Sequence, residues 1–301
     1  MKILYIGVHS YKNESNWRTE SFVANSFTKN NIKFNKIDYR SILKSFNQLE
    51  LKKQINKAAQ DCDLIFLQRG EGVFPDTFSD IKIPIIFWSS EPINRNKDVD
   101  ILLKSNIFSW IYVHTHTCIN RIKKVFPHLI DKVSVLHNAV GEEKINIKDN
   151  KQKYFAIFNR TVSLRRRYWL FRSRSLVKII KGRYGELYYQ DLRNSSVAVN
   201  VHYSSKSIDD FETGIFEAMA CGCVIVSERL PNQTILDLGM KDAIIEVDSP
   251  KDLKKQLICL KNNPKLLLEY QTKTKNVIKM NTWTERVKAI KFKFEEILSS
   301  K

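Results

Sequence analysis

Short apolar runs with polar ends recur through the first half of the chain, and the spacers between them are long enough for helices. The runs cover residues 1–8, 63–68, 83–88, 110–114 and 132–136. Continuous apolar runs of this length are typical of parallel strands that are buried on both faces. The pattern therefore predicts a doubly wound sheet with helices on both sides.

A second series of the same kind begins at residue 154. Strands are predicted at 154–158, 197–201, 224–226 and 243–247, and helices at 168–181, from about 214, and at 249–261. Ser249 and Pro250 begin the last of these helices as N-cap and first helical residue. Residues 141–153 are polar and charged without an apolar pattern, so we place the domain linker there.

The fold class that follows is α/β, with two Rossmann-like domains at residues 1–145 and 146–301. Ligands of open α/β sheets bind beyond the carboxyl ends of the strands. We therefore expect the two domains to face a central cleft that contains the active site.

Composition agrees with a globular protein of this size. A chain of 301 residues with 43% hydrophobic side chains is long enough for two average domains. No apolar run approaches the roughly 20 residues that span a bilayer, and the N-terminus has the pattern of a strand rather than of a signal peptide. The five scattered cysteines lack zinc-site spacing, so we expect reduced thiols in a cytoplasmic protein.

The net charge of +18 changes the picture because it is concentrated in the second half. The first 150 residues contain 22 Lys and Arg against 16 Asp and Glu, and the remainder contain 28 against 16. Such an excess favours an anionic partner, which could be a nucleotide diphosphate, a polyanionic acceptor, an anionic membrane face or nucleic acid. A lysine-rich composition without any such partner is the alternative.

Residues 211–226 form the most informative segment of the chain. Their pattern predicts a turn, a short helix that Gly222 terminates, and a buried strand, with Glu217 in the first helical turn. The unpaired N–H groups at such a helix start, here near Thr213 and Gly214, bind a diphosphate, while Glu217 accepts hydrogen bonds from a ribose. The same residues are also compatible with an ordinary αβ unit that binds nothing.

The heptapeptide at residues 216–222, followed by an apolar strand, resembles the nucleotide-sugar motif of GT-B glycosyltransferases. The similarity is greatest to the CgeB-like, spore maturation type group. Further matches, in the same order along the chain, are Asn159-Arg160 and the arginines at 165–167, then Asn200 and His202, and finally residues 281–286, which are similar to a His-Thr-Tyr-x-x-Arg ending.

The sequence departs from the family pattern at two positions. Many GT-B enzymes have two carboxylates eight positions apart, and the earlier position here is the shorter Asp209. Many CgeB-like members have an arginine where this chain has Gly214. Both differences concern the part of the site that would hold the sugar, and neither affects Glu217.

The resemblance implies a glycosyltransferase that takes its sugar from a nucleoside diphosphate donor, most often a UDP-sugar, without a bound metal or other cofactor. Arg160 follows a strand, where a guanidinium can bind a pyrophosphate with two hydrogen bonds. Among the arginines at 165–167, which point in different directions on a helix, we select Arg165. The residues predicted to bind the donor are Glu217, Thr213, Gly214, Arg160, Arg165 and Asp209.

Several ionisable residues at strand ends of the first half are candidates for the catalytic base: His9, Glu71, Glu91, His114 and His116. From this set we select Glu91 and His114 as catalytic residues. His114 and His116 alternate on a strand and so face opposite sides, which argues against a shared metal ion.

Three other functions remain open at this point. The aromatic and basic residues at 165–169 are also typical of a non-catalytic nucleic-acid-binding protein. A glycosyltransferase that modifies DNA would use both the nucleotide-sugar motif and the basic residues. A nucleotide-sugar epimerase would share the fold. The acceptor is unidentified, and a cell-wall polymer, DNA and a membrane-associated molecule all remain open. A membrane-associated acceptor would make this cytoplasmic protein peripheral to the membrane.

Overall fold

The computed structural model describes residues 1–9, 17–91, 98–145, 152–204 and 211–300. The chain divides into two compact units, one formed by residues 1–138 together with 283–301 and the other by residues 139–282. The observed division differs from the predicted one in two ways. The boundary precedes residue 145, and the C-terminal segment belongs to the first unit.

The first unit is built around a six-stranded sheet in which all paired strands are parallel. Its strands are β1 (Lys2–Gly7), β2 (Lys33–Asp38), β3 (Leu64–Gln68), β4 (Ile85–Ser89), β5 (Trp110–Val113) and β6 (Val133–Val135). Its helices are α1 (Thr19–Lys29), α2 (Tyr39–Ser45), α3 (Gln48–Ala59), α4 (Asp98–Lys104) and α5 (His116–Val125). The strand order is β2-β1-β3-β4-β5-β6, so the chain changes direction across the sheet between β1 and β3.

The second unit repeats this design with five parallel strands in the order β11-β10-β9-β7-β8. The strands are β7 (Tyr154–Phe158), β8 (Val177–Ile179), β9 (Ser195–Asn200), β10 (Val224–Glu228) and β11 (Ile244–Val247). The helices are α6 (Leu164–Phe171), α7 (Gly185–Arg193), α8 (Gly214–Ala220), α9 (Asn232–Asp237), α10 (Pro250–Asn262) and α11 (Pro264–Lys279). The predicted α/β class with two Rossmann-like sheets is confirmed.

The predicted helix at residues 168–181 is wrong after Phe171. Helix α6 ends at Phe171, and Val177-Lys178-Ile179 forms the edge strand β8, paired with β7. The β-branched residues Val177 and Ile179 favour an extended strand, and the sheet pairing with β7 outweighs the helical pattern of the preceding residues.

The last helix, α12 (Trp283–Ser299), packs against the first sheet through one apolar face. The Trp283 ring lies 5.0 Å from that of Trp88 in β4, and the Phe294 ring lies 5.6 Å from that of Phe66 in β3. Trp283 and Phe294 are almost completely buried. Burial of these large rings explains why the end of the chain belongs to the first unit.

Among the described residues, no helix has both the length and the apolar character needed to cross a membrane. The five cysteines are free, and four of them are buried, with Cys259 exposed.

Replacing Phe294 with alanine is expected to lower the free energy of unfolding by about 3–5 kcal/mol, because the cavity left between α12 and the first sheet cannot collapse fully. Phe292, two residues earlier and 68% exposed, provides the matched control. We expect Phe292→Ala to change stability by less than about 0.5 kcal/mol in urea denaturation. Equal effects of the two substitutions would contradict the packing described here.

Candidate functional site

The carboxyl ends of β7, β9 and β10 lie side by side in the second unit, and polar residues follow each of them. Arg160 comes shortly after β7, Asn200 ends β9, and Ser227 and Glu228 end β10. Because β7 and β9 are neighbours whose connecting chains leave in opposite directions, their ends form the position where ligands of such sheets bind.

Arg160 is held in a defined orientation at this position. Its Nη1 donates to Asn200 Oδ1 over 2.9 Å and also to the Glu212 carboxylate. Asn200 is in turn fixed by a 2.9 Å hydrogen bond from its Nδ2 to Ser227 Oγ. Within the described part of the chain, Nε and Nη2 of Arg160 make no hydrogen bond. The guanidinium therefore retains donors for a ligand.

Gly214 lies directly against the Arg160 guanidinium. A Cβ atom at position 214 would collide with Nη2 and Cζ of Arg160 and would come within 3.0 Å of the Tyr188 hydroxyl. The sequence analysis predicted that the backbone N–H groups near Gly214 bind a diphosphate. The structure gives a steric reason for glycine at this position, because the space beside its Cα atom is occupied by an arginine.

Glu212 joins two arginines and is the residue that the sequence did not reveal. Its Oε2 accepts from Arg160, and its Oε1 accepts from Arg166 Nη2 over 2.7 Å. Burial raises the pKa of the Glu212 carboxyl, but Arg160 and Arg166 lower it by more, so the net shift is downward. Residues 150–185 contain no Asp or Glu, so a carboxylate partner for Arg160 and Arg166 has to come from a distant part of the chain.

Arg166, rather than the predicted Arg165, lies next to Arg160. Arg166 is 3% exposed, and its Nε and Nη1 donate to the carbonyl oxygens of Val201 and Thr161, each over 2.8 Å. Arg165 forms a two-point ion pair with Glu228, with 2.6 Å between Nη1 and Oε2. Arg165 is therefore at the strand ends as predicted, but a carboxylate neutralises it.

Glu217 lies on α8, half-buried, and faces two tyrosines of α7. The Tyr189 hydroxyl donates to Glu217 Oε1 over 3.4 Å. Burial raises the pKa of the Glu217 carboxyl, and the Tyr188 hydroxyl and Arg160 offset only part of this effect. The pKa values of both tyrosines are also raised, chiefly by burial, so their hydroxyls remain neutral donors. Arg160 thus lowers the pKa of Glu217 through its charge, although the described contacts include no ion pair between the two residues.

Two further residues, Thr213 and Asp209, were predicted to bind the donor. Thr213 is exposed and directly precedes α8, which has seven residues. The N–H of Ile215 already donates to the Glu212 carbonyl over 3.0 Å, which leaves fewer free amides than the sequence suggested. Asp209 lies outside the described residues.

In the first unit, a cluster of opposite composition occupies the equivalent position at the end of β3. Arg69 pairs with Glu91, and its Nε lies 3.7 Å from Glu71 Oε1 and 3.9 Å from Glu20 Oε1. Glu20 is 2% exposed, and burial raises its pKa. Arg69 has a φ of 75°, in the left-handed region that non-glycine residues rarely adopt, which is common at ligand sites.

The two predicted catalytic residues occupy different surroundings in this unit. Glu91 is half-buried and paired with Arg69. His114 is 4% exposed, with Nδ1 3.6 Å from Cys118 Sγ. The described contacts do not bring Glu91 and His114 together. Of the other histidines, burial lowers the pKa of His9 to about 4, which keeps that ring neutral.

Comparison with known proteins supports a glycosyltransferase, as the sequence predicted. Residues 155–291 match the family model described as Glycosyl transferase-like, and this span includes Arg160, Glu212 and Glu217. No curated protein sequence matches the chain.

Solved structures show that the fold is that of GT-B glycosyltransferases. A sucrose-phosphate synthase from Thermosynechococcus elongatus is 7% identical, with a TM-score of 0.71 and complete coverage of both chains. HepE from Anabaena, solved with UDP-glucose, is 13% identical, with a TM-score of 0.63 and complete coverage of both. A chain of the GtfA/B complex is 12% identical, with a TM-score of 0.59; the match covers 84% of this chain but only 61% of that one.

Removing the carboxylate of Glu212 by Glu212→Gln should destabilise the protein at neutral pH by about 3 kcal/mol, because two adjacent buried cations lose their shared partner. The folded-state pKa of Glu212 is lowered, so its contribution is present above the ordinary glutamate pKa and is lost as the pH falls through the folded-state value. Denaturant unfolding from pH 7 downward should therefore show the two proteins converging at acid pH. A constant difference would contradict the ion-pair assignment.

Glu217→Gln should have the opposite effect. The folded-state pKa of Glu217 is raised, so its ionised form costs stability above the ordinary glutamate pKa. We expect this variant to be more stable than the wild type at neutral pH and equal to it at acid pH, where Glu217 is protonated. Lower stability of the variant at pH 7 would contradict the burial-dominated shift.

Proposed function

We propose that this protein transfers a sugar from a UDP-sugar to an acceptor hydroxyl, and that its donor site lies at the carboxyl ends of β7, β9 and β10. The observation that carries this proposal is the Arg160 guanidinium, fixed by Asn200 and Glu212 but with Nε and Nη2 free of described partners. This group lies within the glycosyl transferase-like part of the chain.

The proposed role of Arg160 is to bind the donor diphosphate and to stabilise it as it leaves. Negative charge grows on the departing diphosphate while positive charge develops on the sugar. A guanidinium with two free donor positions matches phosphate oxygens in geometry and charge. Because Glu212 and Asn200 hold Arg160 before the donor arrives, little orientational entropy remains to be lost on binding.

Glu217 is proposed to accept hydrogen bonds from the ribose hydroxyls. Its carboxyl is half-buried and interacts with the hydroxyls of Tyr188 and Tyr189, the latter over 3.4 Å. A carboxylate has about four acceptor positions, so two hydroxyl donors leave acceptor capacity for a ribose. The raised pKa of Glu217 is consistent with a group whose full set of hydrogen bonds is completed by a ligand. The backbone amides at Thr213 and Gly214 are secondary candidates for phosphate contact.

The identity of the nucleotide is also part of the proposal. HepE, which shares this fold over its whole length, has been solved with UDP-glucose and with UDP. On that basis we propose that this chain binds UDP. We also propose, from the motif at residues 216–222, that the chain is most similar to the CgeB-like group. Arg160 supplies the cationic charge at the diphosphate, so we expect EDTA to leave turnover unchanged.

Activation of the acceptor is assigned to the first unit. Of the two predicted catalytic residues, Glu91 has the more exposed side chain, whereas His114 is almost completely buried. We therefore propose Glu91 as the general base, with Arg69 as its positioning partner. The protein is proposed to act in the cytoplasm, peripheral to a membrane.

Titration calorimetry with UDP tests the donor site. Glu217→Ala and Arg160→Gln should each weaken UDP binding by about tenfold or more, because each removes charge-assisted or strongly polar hydrogen bonds to the nucleotide. The matched control is Glu269→Gln, which removes an exposed carboxylate that pairs with Lys273 on α11.

The outcomes separate the competing functions. Wild-type UDP affinity in both site variants would overturn the assignment. Hydrolysis or transfer of UDP-glucose that requires hydroxylated DNA would make DNA the acceptor, and conversion to an epimeric UDP-sugar without transfer would identify an epimerase.

A further inference from the structure

Residues 150–185 contain eleven Lys and Arg and no Asp or Glu. This one segment therefore carries most of the net charge of +18. Nine of these cations, all of them after residue 159, form two groups in the structure. Arg160, Arg165 and Arg166 turn inward and are paired with Glu212 or Glu228.

The second group faces solvent. Its members are Arg167, Arg172, Arg174, Lys178, Lys181 and Arg183. In the part of the chain that the structure describes, only Arg183 of this group has a carboxylate partner, Asp191 at 3.3 Å. These charges are not needed for the ion pairs that hold the donor site together.

Three large apolar side chains are exposed among these cations. Leu164, Tyr168 and Phe171 are 83%, 69% and 66% exposed. Their spacing of four and three residues places them along one side of α6, while Trp169 and Leu170 on the other side are buried. Arg174 lies over the Phe171 ring, with 5.2 Å between Cζ and the ring centroid.

We call this region the α6–β8 surface and define it by residues Leu164, Arg167, Tyr168, Phe171, Arg172, Arg174, Lys178 and Lys181. It ends at β8, the edge strand of the second sheet. Exposed apolar residues in a row with flanking arginines and lysines form the pattern of a helix that lies in a membrane interface. Single exposed apolar residues are normal on protein surfaces, but three large ones along one side of a helix indicate a contact surface.

We propose that the α6–β8 surface docks on an anionic lipid bilayer, with Leu164, Tyr168 and Phe171 inserted at the headgroup boundary and the surrounding cations paired with lipid phosphates. The charge of the surface is complementary to anionic lipid. Its unpaired positive charge would repel the same surface of a second copy of the chain. The docking is independent of the nucleotide-binding proposal.

Leu164 distinguishes a bilayer from nucleic acid as the partner. Single-stranded nucleic acid binds by stacking bases on aromatic rings and by pairing phosphates with cations. An aliphatic side chain at the start of the helix, the most exposed of the three, contributes to neither of these contacts. At a bilayer, the same side chain gains the burial of its apolar surface.

Co-sedimentation with vesicles tests the proposal on the full chain. The wild type should bind vesicles of phosphatidylcholine and phosphatidylglycerol in a 3:1 ratio, should bind pure phosphatidylcholine weakly, and should be released by high salt. Tyr168→Ser with Phe171→Ser should reduce the partition coefficient about tenfold or more. Arg167→Gln with Arg172→Gln should reduce it about fivefold for each charge removed.

Two matched controls lie on α11 of the same unit. Leu268→Ser removes a similarly exposed apolar side chain, and Lys265→Gln with Lys275→Gln removes two exposed charges. Both should leave vesicle binding unchanged, and UDP affinity should be unchanged in every variant. Equal losses in the control and test variants would overturn the proposal. So would failure of the wild type to bind anionic vesicles, or tighter binding of an oligothymidylate through the same residues.

Discussion

The organisation of the second unit's site depends on one carboxylate shared by two arginines. Without Glu212, the guanidinium groups of Arg160 and Arg166 would repel each other at the ends of β7 and β9. With it, Arg166 becomes a structural cation fixed to backbone carbonyls. Arg160 keeps an orientation in which Nη1 is hydrogen-bonded, while Nε and Nη2 have no hydrogen-bond partner among the residues that the structure describes. The three groups together retain one positive charge, which favours an anionic ligand.

The same topology places ionisable groups at the equivalent edge of the first sheet, with the reverse charge balance. There one arginine, Arg69, is surrounded by Glu20, Glu71 and Glu91. An excess of carboxylates repels phosphate but suits hydrogen bonding to hydroxyl groups and proton abstraction from them. Two sheets of similar strand order thus carry opposite charge balances at equivalent edges.

The buried parallel strands could be predicted because short apolar runs mark them in the sequence. The positions of Arg160 after β7 and of Glu217 in the first turn of α8 could also be predicted from local sequence, whereas their role in donor binding stays a prediction. Strand β2 escaped detection because Lys33–Asp38 is a polar edge strand, and α12 was assigned to the wrong unit because sequence order does not reveal which sheet receives its apolar face. The ion pair between Glu212 and Arg166 joins residues 46 positions apart, which no local pattern encodes.

Helix α6 explains how one run of basic residues meets two different requirements. Arg165 and Arg166 at its start turn toward the strand ends, where carboxylates from β10 and from the turn before α8 compensate them. Arg167 and the apolar stripe lie on faces that the sheet does not cover. A buried charge without a partner carries a large free-energy cost, so each inner arginine is paired with a carboxylate. An exposed cation stays hydrated and needs no such partner. The absence of acidic residues from 150–185 therefore leaves the outer charges available, and only an external anionic surface would use them together with Leu164, Tyr168 and Phe171.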